Sequence, residues 1–279
     1  MSDPASALAT IAALPEVTAA TDRAREACTR LRWHQALRRR IPEAAAESRI
    51  RGAWASAELD GARSSLDAVR DLMRGARLRS DPPDPAERVL HGAMAATAAT
   101  ETLGPLLRRA PRQAVARLHL AAAADLLPEE DLGRPRAHGQ DCPEFAILGA
   151  APSPADAAQR LDTLDSLLRD PDNPAFVVAA IAHAEVAHAR PFVRGNGLVA
   201  RALERTIVQA SGLDPTGVVV PEAGHLREGS TSYQGALAAY GTGTRAGLLV
   251  WLDHCADSVV AGADAGREIA DAVLAGRLS

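Results

Sequence analysis

The stretch HARPFVRGNGLVAR, residues 188–201, gathers the residue types from which an anion site is built. A proline ends one apolar helical pattern, and Gly195, Asn196 and Gly197 supply a flexible turn. LVARALERTIVQASG then opens a second helix with Val199, Leu203 and Ile207 on one face. Amides left unpaired at a helix start, beside glycines that admit a guest to the backbone, attract phosphate through aligned donors and the helix dipole. The same residues also suit a plain helix connection that binds nothing. Arg190, Arg194 and Arg201 frame the turn. Arginine stays protonated and only donates, so none of the three can act as a base or ligate a cation.

His183 and His188, in HAEVAH, invite a zinc reading. Five residues on a helix turn them roughly 140° apart, whereas a metalloprotease pair sits at i and i+4. Both read as packing or surface histidines, and no metal site is expected. His188 also lies two residues before Arg190, on nearly the opposite face, and is a poor substitute base. GTGTRAG, residues 241–247, follows a helical pattern and lacks dinucleotide-loop spacing, so it reads as a plain loop.

RPFVRGNGLVAR, residues 190–201, resembles the Fic (Fido) signature HPFx(D/E)GNGRxxR: Pro191, Phe192, Gly195, Asn196, Gly197 and Arg201 keep both type and spacing. The resemblance implies a helical fold whose glycine loop binds the phosphates of ATP and which transfers AMP to a hydroxyl of a target protein. It assigns the general base to the signature's histidine and magnesium to its acidic residue. Here those positions are Arg190 and Arg194, and the first arginine after the glycine loop is Leu198. A positioned base is worth about 10²–10⁴-fold in rate, so ordinary AMP transfer is expected to be crippled. ATP or another nucleotide would be held by Arg194, Gly195, Asn196, Gly197 and Arg201, with guanidinium charge in place of magnesium. SAELDG, residues 56–61, resembles the inhibitory (S/T)xxxE(G/N) helix of the same family. That likeness implies regulatory roles for Ser56 and Asp60 and an ion pair between Asp60 and Arg201.

Three readings stay open: a nucleotide- or phosphate-binding pseudoenzyme; an active nucleotidyl- or phosphoryl-transferase working without the usual base; and a helical protein-interaction module. In the last, a short hairpin before SPADAAQRLDTLDSLL would recruit a target or regulatory protein by strand addition.

The elements that must position this stretch are helices. Alanine, leucine and arginine fill the long segments, apolar residues recur three and four apart, and aromatics make up 3%. The expected fold is all-α: a Fic-like multi-helix core over residues 86–279 with one short β-hairpin flap, preceded by an N-terminal helical block over 1–85. SDPPDPAER, residues 80–88, marks the boundary, because its prolines remove donors and disfavour helix before them. Ser153 with Pro154, and Asn173 with Pro174, read as helix starts.

A net charge of -4 over 279 residues leaves no global basic field, so neither nucleic acid nor an anionic membrane is an expected partner. Cys28, Cys142 and Cys255 are far apart and form no CxxC pair. No secretory pattern is found, and a cytoplasmic location is expected; homo-oligomerisation stays open.

Overall fold

The computed structural model describes residues 4–76 and 79–277. Among them run twelve helices: α1 (Pro4–Ala12), α2 (Pro15–Arg32), α3 (Ile41–Leu59), α4 (Leu66–Met73), α5 (Pro85–Arg109), α6 (Pro111–Ala123), α7 (Pro154–Arg169), α8 (Ala175–Ala189), α9 (Asn196–Ala210), α10 (Pro221–Arg227), α11 (Ser230–Gly241) and α12 (Arg245–Leu274). None is long and apolar enough to cross a membrane.

Prolines and capping side chains set most of the starts. Asp84 and Glu87 form a reciprocal capping box at α5, and Ser153 Oγ accepts the Asp156 amide at α7. Asn173 departs from expectation. It does not cap α8, since its side-chain amide donates to Leu167 O and closes the turn between α7 and α8.

Helices α8 and α9 lie at the centre and are apolar or buried around almost their whole circumference, as core helices must be. Around them pack α5 and α6 on one side and α7, α11 and α12 on others, while α3 leans on α5, α9 and α10. Helix α2 runs along α12, so residues before and after position 85 share one hydrophobic core. Gly92 lets α5 touch the α6 backbone, since a Cβ there would come within 2.1 Å of Ala122 O.

Charge is buried where α9 meets its neighbours. Arg205 forms a two-point pair with Glu222 of α10, Nε to Oε1 and Nη2 to Oε2 both at 2.8 Å, and also donates to Ser48 Oγ on α3. Gly52 on α3 leaves room for that guanidinium, because a Cβ would meet Arg205 Nη2 at 2.6 Å.

The expected β-hairpin is absent: no strand occurs among the described residues. Residues 137–153 instead form an irregular loop with a single 3-10 turn at Ala146–Leu148. Pro143 has no amide to offer a ladder, and Phe145 is left-handed at φ 53°, so the chain cannot run straight there. The carbonyls that a partner strand would have paired are taken by two buried arginines. Arg136 donates to the carbonyls of Gln140, Pro152 and Arg190, and Arg190 donates to those of Glu144, Gly149 and Ala150. The carbonyls of Gln140, Glu144, Gly149, Ala150 and Pro152 are thus already paired within the chain.

Glu222→Ala, which strands Arg205 in the core, is expected to lower stability by about 3–5 kcal/mol, whereas Arg205→Met with Glu222→Leu should recover most of that loss. Urea unfolding of the single and double variants measures both; losses that simply add would contradict the pairing.

Candidate functional site

The α8–α9 connection folds as its residue types require. Arg190 caps α8 in a left-handed conformation at φ 42°, and its N–H reaches Val186 O. Gly195, at φ 84°, is the residue before α9 and needs glycine for its backbone rather than for space. Asn196 ties the loop to itself: its Oδ1 accepts from the Phe192 amide at 3.0 Å and its Nδ2 donates to Phe192 O at 2.9 Å. His119 supports the turn from below. Its Nδ1 accepts from the Gly133 amide, which fixes the proton on Nε2, and that proton is donated to Arg194 O at 3.0 Å. The His119 ring also stacks on Phe192, 3.7 Å between centroids.

The amides at the start of α9 do hold an anion, and it belongs to the chain itself. Glu144, from the irregular loop, places Oε1 2.6 Å from the Gly195 amide and Oε2 2.9 Å from the Asn196 amide, with Asn196 Nδ2 at 2.7 Å. Three charge-assisted hydrogen bonds to one carboxylate satisfy donors that a phosphate would otherwise find. Burial, then the nearby Asp60 carboxylate, push the Glu144 pKa up, against the lowering effect of these donors.

A second carboxylate stands one turn along. Asp60, at the end of α3, lies 2.8 Å from Arg201 Nη2. Arg201 is completely buried, while Asp60 keeps a quarter of its side chain exposed. Ser56 completes the seat, its Oγ and backbone O accepting from Arg201 Nε and Nη2 at 2.8 and 3.0 Å. Gly197 makes the approach feasible, since a Cβ there would meet Asp60 Oδ1 at 2.8 Å. Aspartate, though a methylene shorter than glutamate, therefore reaches the arginine.

Both carboxylates border a cavity of about 700 Å³ that also involves Arg63, Phe145, Ile147, Arg194 and Tyr233. Arg194 is exposed at its edge. Leu198 has turned toward the α5 packing surface and is buried. Arg190 is buried and is not part of the cavity wall; its guanidinium holds loop carbonyls, as described above, and faces no guest.

Sequence reasoning missed Glu144, Tyr233 and Glu204. No local pattern announces them: Glu144 sits in DCPEF, an ordinary loop string, and the other two lie on separate helices. Behind Arg201 they complete a buried chain of hydrogen bonds. Arg201 Nη1 reaches the Tyr233 hydroxyl at 3.5 Å; that hydroxyl meets His183 Nε2 at 2.8 Å; His183 Nδ1 and His225 Nε2 both meet Glu204 Oε2, at 2.6 and 2.9 Å. His225 Nδ1 in turn faces His254 Nε2 and Ser258 Oγ. His183, Glu204 and His225 have ligand-type atoms within 4.8 Å of one another and could in principle hold a metal. Within the chain, His183 Nδ1 and His225 Nε2 already share the Glu204 Oε2 oxygen. His183 is thus a core histidine, and His188 is half-buried with Nε2 on Leu237 O.

Burial lowers the pKa of His119 and His183 to about 4 and that of His254 to about 3. Burial alone would raise Glu204, but the His225 and His183 rings hold it well below the usual carboxylate range.

Residues 109–208 match the model of the Fic/DOC family. The fold is similar to that of a Fic family protein from Desulfovibrio desulfuricans G20, with TM-score 0.72 and 20% identity over 95% of this chain and 76% of that one. It is also similar to Fic-1, residues 134–508, from C. elegans, with TM-score 0.68 and 20% identity over 91% and 74% of the two chains. A Fic domain containing signaling protein from Bacteroides thetaiotaomicron VPI-5482 aligns with TM-score 0.61 and 11% identity over 90% and 98%. A search among curated proteins found no match. The chain therefore carries a Fic/DOC-family segment, α6 to α9 with the loop between, within the fold of Fic family proteins.

Two outcomes are expected. The three histidines have folded pKa values below their unfolded value of about 6.5, so the unfolded chain binds more protons as the medium is acidified. Their contribution is complete above about pH 6.5 and is lost as pH falls through about 4, by up to about 1.4 kcal/mol per pH unit for each ring. Glu144, raised, has the opposite sign, while His188, also lowered by burial, adds to the loss. Melting temperatures measured from pH 7 to 4 should fall steadily, and a flat profile would contradict the neutral network. Asp60→Ala leaves Arg201 its Ser56 and Tyr233 partners, so its cost should lie between the exposed and buried limits, about 1–3 kcal/mol by urea unfolding. No measurable loss would mean that the ion pair contributes nothing.

Proposed function

We propose that this chain is a Fic-fold regulator that binds the phosphates of ATP or another nucleotide at the start of α9 and does not carry out ordinary AMP transfer. The observation that carries the reading is the amide cradle of Gly195 and Asn196, already wrapped around a negative group of the size and charge of a phosphate edge. Beside it lies a cavity large enough for a nucleotide, with Arg194 at its edge as a free-standing cation. Support for the missing chemistry comes from position 190. A guanidinium whose protons are committed to three carbonyls cannot take a proton from a hydroxyl. At position 194 a fixed positive charge repels magnesium and neutralises phosphate directly.

Calorimetric titration of the wild type with ATP should give binding that changes less than about twofold when magnesium is added. Incubation with ATP labelled at the α-phosphate should yield no labelled protein. Magnesium-dependent labelling by the wild type would overturn the reading. Restoring Arg190→His, Arg194→Asp and Leu198→Arg together should bring self-labelling back, because each substitution returns one missing group to an otherwise intact loop.

A further inference from the structure

The irregular loop between α6 and α7 does more than cross the site. We infer that it is a displaceable plug: Glu144 competes with a phosphoanhydride ligand for the same amides, and Arg190 sets how firmly the plug is held. The inference rests on the anion-binding reading above and adds the regulation of that site.

Four observations carry it. The Glu144 carboxylate uses both oxygens on the Gly195 and Asn196 groups, so it and a phosphate cannot occupy the cradle together. The loop is fastened near Glu144 by side chains rather than by a strand ladder. Arg190 holds the carbonyls of Glu144, Gly149 and Ala150, and Arg136 holds those of Gln140 and Pro152. Two non-glycine residues of the assembly, Phe145 at φ 53° and Arg190 at φ 42°, sit in the left-handed region, which side chains adopt at a cost. Arg190 Nε is buried without an acceptor. The seated loop is therefore held in place against opposing strain, and the segment from Glu144 to Ile147 lines one wall of the cavity it closes. Release needs only the exchange of one anion for another at the cradle, since Arg136 can keep the loop's two ends anchored.

A ligand that binds only the unplugged form has its affinity reduced by the fraction of molecules in that form. Removing the plug's charge returns that factor. The test is calorimetric titration of the full chain with ATP and, separately, with inorganic pyrophosphate, both without magnesium. Glu144→Gln should bind both at least about tenfold more tightly than wild type. Arg190→Gln, which loosens the loop and leaves the cradle untouched, should move affinity in the same direction. It also serves if the Glu144 variant folds poorly. Asp141→Asn removes the same charge from the same loop without touching the cradle and should change affinity by less than about twofold. Tightening for ATP alone would still support the plug and would show that the nucleoside is needed for entry.

Wild type and Glu144→Gln binding ATP equally well would overturn the plug while leaving the anion-binding reading intact. An equal gain from Asp141→Asn would reduce the effect to bulk charge and overturn it too. No binding of either ligand by any folded variant would remove the anion-binding reading itself, and the plug with it.

Discussion

The structure turns on a demand for negative charge at the first turn of α9. The amides of Gly195 and Asn196 point into a partly enclosed space with the positive end of a fifteen-residue helix behind them, and Arg201 is fully buried one turn further on. Donors and a cation in such a place must be met by anions, because water reaches them poorly and leaving them unpaired is expensive. The chain meets the demand from two directions: Glu144 descends from the loop after α6, and Asp60 arrives at the end of α3. Much of what surrounds the site can be read as the means of delivering these two carboxylates.

Seen this way, the arginine at position 190 is a replacement with its own task. An imidazole there would offer one donor and one acceptor to the cavity. The guanidinium instead spends its donors on loop carbonyls and folds the irregular segment over the cradle, bringing Glu144 with it. The left-handed backbone at Arg190, a conformation usually left to glycine or asparagine after a helix, turns the side chain toward the loop. One residue thus fastens the loop while offering no acceptor of its own.

The helices and the glycine turn were legible in the sequence, because periodicity, proline placement and glycine at a helix start are local physics. So was the meeting of Asp60 with Arg201, through likeness to a known inhibitory pattern rather than through any local rule. Other features were not legible, each for a physical reason. The extended-looking residues near 145 form no hairpin, since Arg136, just before the loop, and Arg190, some forty residues on, take carbonyls a ladder would need. Glu144 reads as a surface acid until the fold places it on α9. His183 reads as packing, which it is, but its partners Glu204, Tyr233 and His225 lie on three other helices and carry no shared spacing. Asn173 carried a capping signal and was drawn instead to Leu167 O, a competition between two local hydrogen bonds that sequence does not rank.

The most direct view of the central claim is a crystal structure of the wild-type chain soaked with ATP. Phosphate oxygens within hydrogen-bond distance of the Gly195 and Asn196 amides, with the Glu144 carboxylate displaced, is the predicted result. A nucleotide bound elsewhere while Glu144 stays seated on those amides would contradict it.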